Sequence, residues 1–215
     1  MRSPVPLIRT MGASMLFALA VAWPAAAQRE EQFRSWCHYT SGPRATNEQT
    51  IEGCSALIAA GREPAGKLYE AYVNRGSAYA TTGDHKRAID DYGEALKLEP
   101  GEAVLWDARC HSRAVVGDLQ AALADCNEAL RLRPLVVAFG TRGFVLLKLG
   151  RLDEAIAQYD EGLKVYAKSA HSLYGRGVAR RKKGDVAGSD ADIAAAKAAK
   201  ADIADLFAQW GVSAP

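Results

Sequence analysis

The sequence predicts an all-α solenoid of antiparallel helix hairpins, on three observations. A fixed set of residue types returns about every 34 residues. Within each unit, apolar residues recur at intervals of three to four on both sides of a glycine, which describes two amphipathic helices. The composition, 49% hydrophobic and 24% charged over 215 residues, is that of a globular chain able to build an ample core.

The first 27 residues read as an export leader. Arg2 and Arg9 precede an apolar run from about Met11 to Trp23, and Ala25-Ala26-Ala27 supplies a small-residue cleavage triplet. That run is well short of the roughly 20 residues a bilayer span needs. Cleavage after Ala27 is therefore expected, with an uncleaved N-terminal anchor as the alternative. The mature chain would have no membrane span and would occupy an exported, oxidising compartment, periplasmic or extracellular, which the even count of four cysteines suits. The two leader arginines also account for the formal charge of +2, so the remainder is balanced. A neutral chain without a long basic run gives no electrostatic reason to expect nucleic acid.

Residues 28–67 look like a degenerate first unit. Its second helix, roughly NEQTIEGCSALIAAG, is expected to pack on the next repeat, with Cys37 in a less regular stretch before it. A Cys37–Cys54 bridge there would close a loop of some 16 residues and contribute about 3 kcal/mol through chain entropy.

Four units follow over residues 68–200. Turn glycines stand at Gly83, Gly117, Gly150 and Gly184, and large side chains recur in phase at Tyr72, Trp106, Phe139 and Leu173. A small residue follows each of these at Gly76, Cys110, Gly143 and Gly177. After each turn come Ala88, Ala122, Ala155 or Ser189, then Tyr92, Cys126, Tyr159 or Ile193, then Ala95, Ala129, Gly162 or Ala196. Glycine after a helix supplies a left-handed cap, and Asp84, Asp118 and Asp185 are suited to N-cap the next helix. Beyond the last unit, residues 201–215 contain ADIADLFAQWGV, which places Ile203, Leu206, Phe207 and Trp210 on one helical face. A solenoid needs such a cap to cover the apolar side of its last repeat.

With its glycine, alanine and aromatic columns, the stretch from about Tyr69 to Lys200 resembles the tetratricopeptide repeat family. The resemblance implies a right-handed superhelix whose first helices line a concave, peptide-binding groove. Carried onto this chain, the groove lining would be Val73, Ser77, Asp107, His111, Phe144, Lys148, Tyr174, Val178 and Arg181, with Phe144 and Tyr174 as solvent-facing anchors. Family members that clamp a terminal carboxylate use a lysine and asparagine set. Here Asn74 lies on the adjacent helical face and Val73 and Ser77 take the groove, so that chemistry is not supported.

An arginine fills one column throughout: Arg75, Arg109, Arg142 and Arg176. In an antiparallel hairpin, residues equidistant from the turn share a height, since each helix rises about 1.5 Å per residue. Arg75 and Asp91, Arg109 and Asp125, and Arg176 and Asp192 are such pairs, while Gln158 faces Arg142. The arginines are thus expected to hold aspartates rather than form an anion-binding ladder.

Cys110 and Cys126 lie at heights differing by only about 3 Å on facing helices, which predicts a disulfide across one hairpin, with His111 turned into the groove. Two packed thiols and a metal or redox pair are the alternatives. Of the four histidines, His38, His85, His111 and His171, none has HExxH or other metal spacing, and no Walker loop or GxSxG occurs. No catalytic residue, metal or cofactor is expected. The reading is a non-enzymatic interaction scaffold that holds a peptide or partner segment; the alternative is a thiol-redox or metal-handling protein using Cys110, His111 and Cys126.

Overall fold

A computed structural model describes residues 25–38 and 44–213, and every regular element among them is an α-helix. The helices are α1 (Ala25–His38), α2 (Asn47–Ala60), α3 (Ala65–Thr81), α4 (His85–Leu98), α5 (Ala103–Val116), α6 (Leu119–Leu132), α7 (Val136–Lys148), α8 (Leu152–Val165), α9 (Ala170–Lys182), α10 (Val186–Ala199) and α11 (Ile203–Gln209). They pair as hairpins in chain order, each second helix packs on the first helix of the next pair, and α5, α7 and α9 also touch in sequence. The chain is an all-α superhelical solenoid, with α5, α7 and α9 side by side on one face.

The turns form where the sequence places them. Gly83, Gly117, Gly150 and Gly184 have φ of 86, 91, 74 and 90°, in the left-handed region that favours glycine. Asp84 accepts from the backbone N–H of Arg87, and Asp185 from that of Gly188. Asp118 occupies the same N-cap position but makes no side-chain cap bond.

The small-residue column is what lets each hairpin close. A Cβ on Gly76 would lie 2.9 Å from the Tyr92 ring, one on Gly143 2.8 Å from the Tyr159 ring, and one on Gly177 2.8 Å from Ile193. One helix therefore gives up its side chain so that a large one from its partner fills the gap. In α5 and α6 both positions are cysteine, and the contact becomes the expected Cys110–Cys126 disulfide, Cα–Cα 5.4 Å, fully buried.

One residue outside this contact, the arginines close on their aspartates. Arg75 Nε and Nη2 donate to the two oxygens of Asp91 at 2.8 and 2.7 Å; Arg109 holds Asp125 at 2.8 and 2.8 Å, and Arg176 holds Asp192 at 2.8 and 2.6 Å. Arg113 and Arg180 each add a further bond to Asp125 and Asp192, and Arg176 also reaches Asp160. Asp91, Asp125 and Asp192 are buried, and forked geometry with several donors is what makes such a pair favourable away from water.

The first hairpin is more regular than its sequence. Cys37 does not lie in an irregular stretch but in the last turn of α1, bonded to Cys54 of α2 with Cα–Cα 4.7 Å, and Asn74 Nδ2 of α3 donates to its carbonyl at 2.8 Å. Helical periodicity is weak in AAAQREEQFRSWCH because few apolar residues are needed once a disulfide and a borrowed amide fix the helix end. Residues 1–24 of the expected leader lie outside the described residues, and Ala25–Ala27 form the first turn of α1.

The third repeat breaks the arginine rule: Arg142 Nε and Gln158 Oε1 are both buried without a hydrogen-bond partner. Gln158→Asp restores the carboxylate that the other three repeats have. It is expected to raise the melting temperature by roughly 2–4 °C, the size of about 1 kcal/mol in a chain of this length. Unchanged or lowered melting, followed by circular dichroism, would show that the repeat has repacked around glutamine.

Candidate functional site

The face formed by α5, α7 and α9 is partly filled by the chain itself. After α10 the backbone turns back, and α11 sets Phe207 and Trp210 against this face. Phe207 meets Phe144 at 5.7 Å between ring centroids, Tyr174 at 4.8 Å and His171 at 4.9 Å. Trp210 lies edge-on to His111 at 4.7 Å and to Phe144 at 5.8 Å. Lys148 Nζ locks the end of α11 by donating to the carbonyls of Trp210 and Ala114 at 2.9 and 2.8 Å. α11 touches α9 and α10 of the last repeat, and its aromatic residues reach across three repeats, to His111, Phe144 and Tyr174.

This corrects the expected groove. Phe144 and Tyr174 are not solvent-facing anchors: they are 0% and 3% exposed, and Val178 is 0% exposed. They are core, because α11 lies over the apolar stripe that was read as an open floor. Arg181 turns to α10, pairing with Asp190 and Ser189 Oγ. Val73 and Ser77 lie on α3; Tyr92 donates to Ser77 Oγ at 3.4 Å. Among the predicted lining residues, the structure brings Asp107 and His111 to one cavity.

That cavity, of about 580 Å³, lies between α5, α7 and α9 with Trp210 as a wall. Its position follows from one repeat column. Val73, Asp107, Gly140 and Tyr174 are equivalent, and the missing side chain at Gly140 lets α9 close in: a Cβ there would sit 3.1 Å from His171 Nδ1 and 3.4 Å from Ser172 Oγ. Thr141, His171 and Ser172 also line it, and sequence reasoning missed all three. The available signal was helical spacing: Gly140 and Thr141 stand about one turn before Phe144, and His171 one turn before Tyr174, on the predicted face.

Electrostatically the cavity is unusual for a solenoid surface. Asp107 is the one Asp, Glu, Lys or Arg among its lining residues, 6% exposed, with Oδ1 buried and lacking a hydrogen-bond partner. Burial pushes its carboxyl up to about 6, with Thr141 pulling the other way. Burial depresses the imidazole of His111 to about 3, aided by the positive potential of His171, His85 and Lys148, and that of His171 to about 4. At neutral pH both rings are uncharged and the carboxyl is largely ionised. The arrangement offers an apolar slot with one acidic acceptor.

The alternative chemistry loses its ligands here. Cys110 and Cys126 are joined and fully buried, and the His111 ring stacks on Phe144 at 5.8 Å. Among the described residues no group of three or more His, Cys, Asp and Glu side chains is spaced to hold a metal ion.

Comparisons with known proteins agree with this architecture. Models of the tetratricopeptide repeat match residues 69–102 and 142–205. No curated protein matches the chain. Among solved structures, MamA from Desulfovibrio magneticus RS-1 superposes with TM-score 0.63 at 14% identity, over 83% of this chain and 97% of that one. A tetratricopeptide repeat protein from Parabacteroides merdae gives 0.62 at 20% identity, over 86% and 74%. The first repeat domain of Spaghetti (RPAP3), solved with the HSP90 peptide SRMEEVD, gives 0.51 at 22% identity, over 54% and 93%.

Two outcomes follow from the buried face. Phe144→Ala is expected to cost roughly 3–5 kcal/mol in denaturant unfolding, the value of an enclosed aromatic core side chain. A loss under about 1 kcal/mol would mean that α11 does not cover it. The second concerns pH. Depressed histidines add stability that is complete above their unfolded pKa of about 6.5 and is lost as pH falls towards 4 and 3. Asp107, raised to about 6, acts oppositely and gains stability on acidification between about 6 and 4. Two histidines outweigh one carboxyl, so melting should fall between pH 7 and pH 4.5, and His171→Phe should reduce that fall. An identical pH dependence in the variant would show His171 to be solvated.

Proposed function

Because this chain belongs to the tetratricopeptide repeat family, we propose that it is a non-enzymatic scaffold that holds a segment of a partner protein in the concave groove left open beside α11. The observation that carries this reading is the seat of α11 itself. A seven-residue helix presenting Phe207 and Trp210 is buried on α5, α7 and α9, which supports this face as one that accepts short apolar segments. The cavity beside Trp210 is the remaining space on the same face, and its rim carries Val137, 57% exposed.

The proposed compartment is an exported one, periplasmic or extracellular. All four cysteines are paired in disulfides, which persist in oxidising surroundings, and the basic, apolar, small-residue grammar of residues 1–27 provides a route there. Among the described residues no helix is long and apolar enough to cross a membrane. In this reading residues 1–27 are removed, residues 28–67, with α2 and α1 beyond its first turn, cap the array at one end, and residues 201–215 close it at the other.

Val137→Glu places a charge at the cavity rim without touching the core. With the mature chain immobilised as bait, the variant is expected to lose the proteins that wild type retains from an envelope extract, while melting stays within about 2 °C. Retention of the same set by both would move the binding face elsewhere.

A further inference from the structure

The cavity between α5, α7 and α9 is apolar on most of its wall, contributed by Val136, Val137, Ala108 and Trp210 among others, yet it buries a carboxylate. Burial of Asp107 is not explained by the fold. The other three buried aspartates of the solenoid, Asp91, Asp125 and Asp192, are each gripped by an arginine fork, whereas Asp107 has no ion pair and its Oδ1 has no hydrogen-bond partner. Lys148, the basic residue on the same face, is committed to two backbone carbonyls. A buried acid without a cation is costly unless something supplies the missing charge.

Resting on the reading of this face as a partner-binding groove, we infer that the cavity takes a lysine side chain of the partner segment, its methylene stem against the apolar wall and its ammonium on Asp107. The chemistry fits at each point. A lysine buries four methylenes and carries three donors at its tip. The carboxylate of Asp107 and the hydroxyls of Thr141 and Ser172 supply acceptors in the same cavity. The two imidazoles there, His111 and His171, are uncharged at neutral pH and do not repel a cation. The polarity is opposite to a groove that clamps a terminal carboxylate, and it predicts selection for a basic residue with apolar neighbours.

The test uses two blocked pentapeptides, acetyl-Ala-Val-Lys-Val-Ala-amide and its norleucine counterpart, titrated against the mature chain by NMR while following the Gly140 amide and the Trp210 indole. Wild type is expected to bind the lysine peptide at least ten-fold more tightly than the norleucine one. Asp107→Asn, of the same shape, should abolish that difference. Equal affinity of wild type for both peptides would overturn the lysine assignment and leave the groove reading standing. Persistence of the preference in Asp107→Asn would overturn it as well, by locating the selecting charge elsewhere. Failure of both peptides to perturb the two signals would sink the lysine site together with the groove. The two-peptide comparison on wild type needs no variant, so a misfolded Asp107→Asn cannot leave the question open.

Discussion

Everything in this solenoid depends on how closely the two helices of a hairpin approach. That distance is set by a single exchange of volume: a residue without a side chain on the first helix faces a large one on the second, as Gly76 faces Tyr92 and Gly143 faces Tyr159. The exchange fixes both spacing and register, because the ring fits only where the Cβ is missing. Register then decides the electrostatics. With the glycine contact in place, residues eight positions from the turn on either helix come level, and the Arg–Asp fork closes. In the hairpin of α5 and α6 a covalent bond replaces the steric fit. Cys110 takes the glycine position and Cys126 the ring position, and the fork beside them, Arg109 with Asp125, keeps the same geometry as its neighbours. Disulfide and ring are two solutions to one packing problem.

The same columns that build the hairpins shape the face they present. Residues equivalent to Val73 project from the first helix of each repeat towards the inside of the superhelix, so their sizes are read out as relief. Gly140 lets His171 and Ser172 approach, Asp107 lines the same cavity, and Tyr174 fills the next step and is covered by Phe207. The C-terminal helix settles where the relief is highest and most apolar. It leaves open the part where glycine and a carboxylate interrupt the stripe. Cap and cavity are consequently two results of one variation in side-chain size, and neither needs a departure from the repeat.

How much of this was legible in the sequence varies with the kind of interaction. The hairpins, turns, arginine forks and the Cys110–Cys126 disulfide follow from spacing, because each is a local relation inside one repeat and depends only on helix rise and distance from a glycine. Cys37 was misplaced because α1 is held by tertiary bonds, to Cys54 and Asn74, that no local periodicity announces. The groove was half read. Its residues were placed on the correct helices, but exposure is decided by what lies across them, and the return of α11 is a contact between residues some 60 positions apart, as Lys148 with Trp210 shows. An apolar stripe looks the same in sequence whether water, a partner or the chain's own terminus covers it. Thr141 and His171 escaped because the residues carried over from the third and fourth repeats start at Phe144 and Tyr174, whereas the cavity is bounded by positions one turn before them.

Asp107 shows why the departures matter more than the consensus. Along its column the other side chains are valine, nothing and tyrosine, and each is satisfied by packing alone. A carboxylate there gains nothing from packing and loses its hydration, as its raised pKa records. Three other aspartates meet that penalty with an arginine sixteen residues earlier, each partner eight residues from the turn glycine, and the geometry that makes those forks does not reach Asp107, which sits ten residues from Gly117. The fold therefore has a general means of neutralising buried acids and leaves this one outside it. Its place beside an open cavity, rather than under α11, puts this carboxylate where a bound partner's cation could complete its charge.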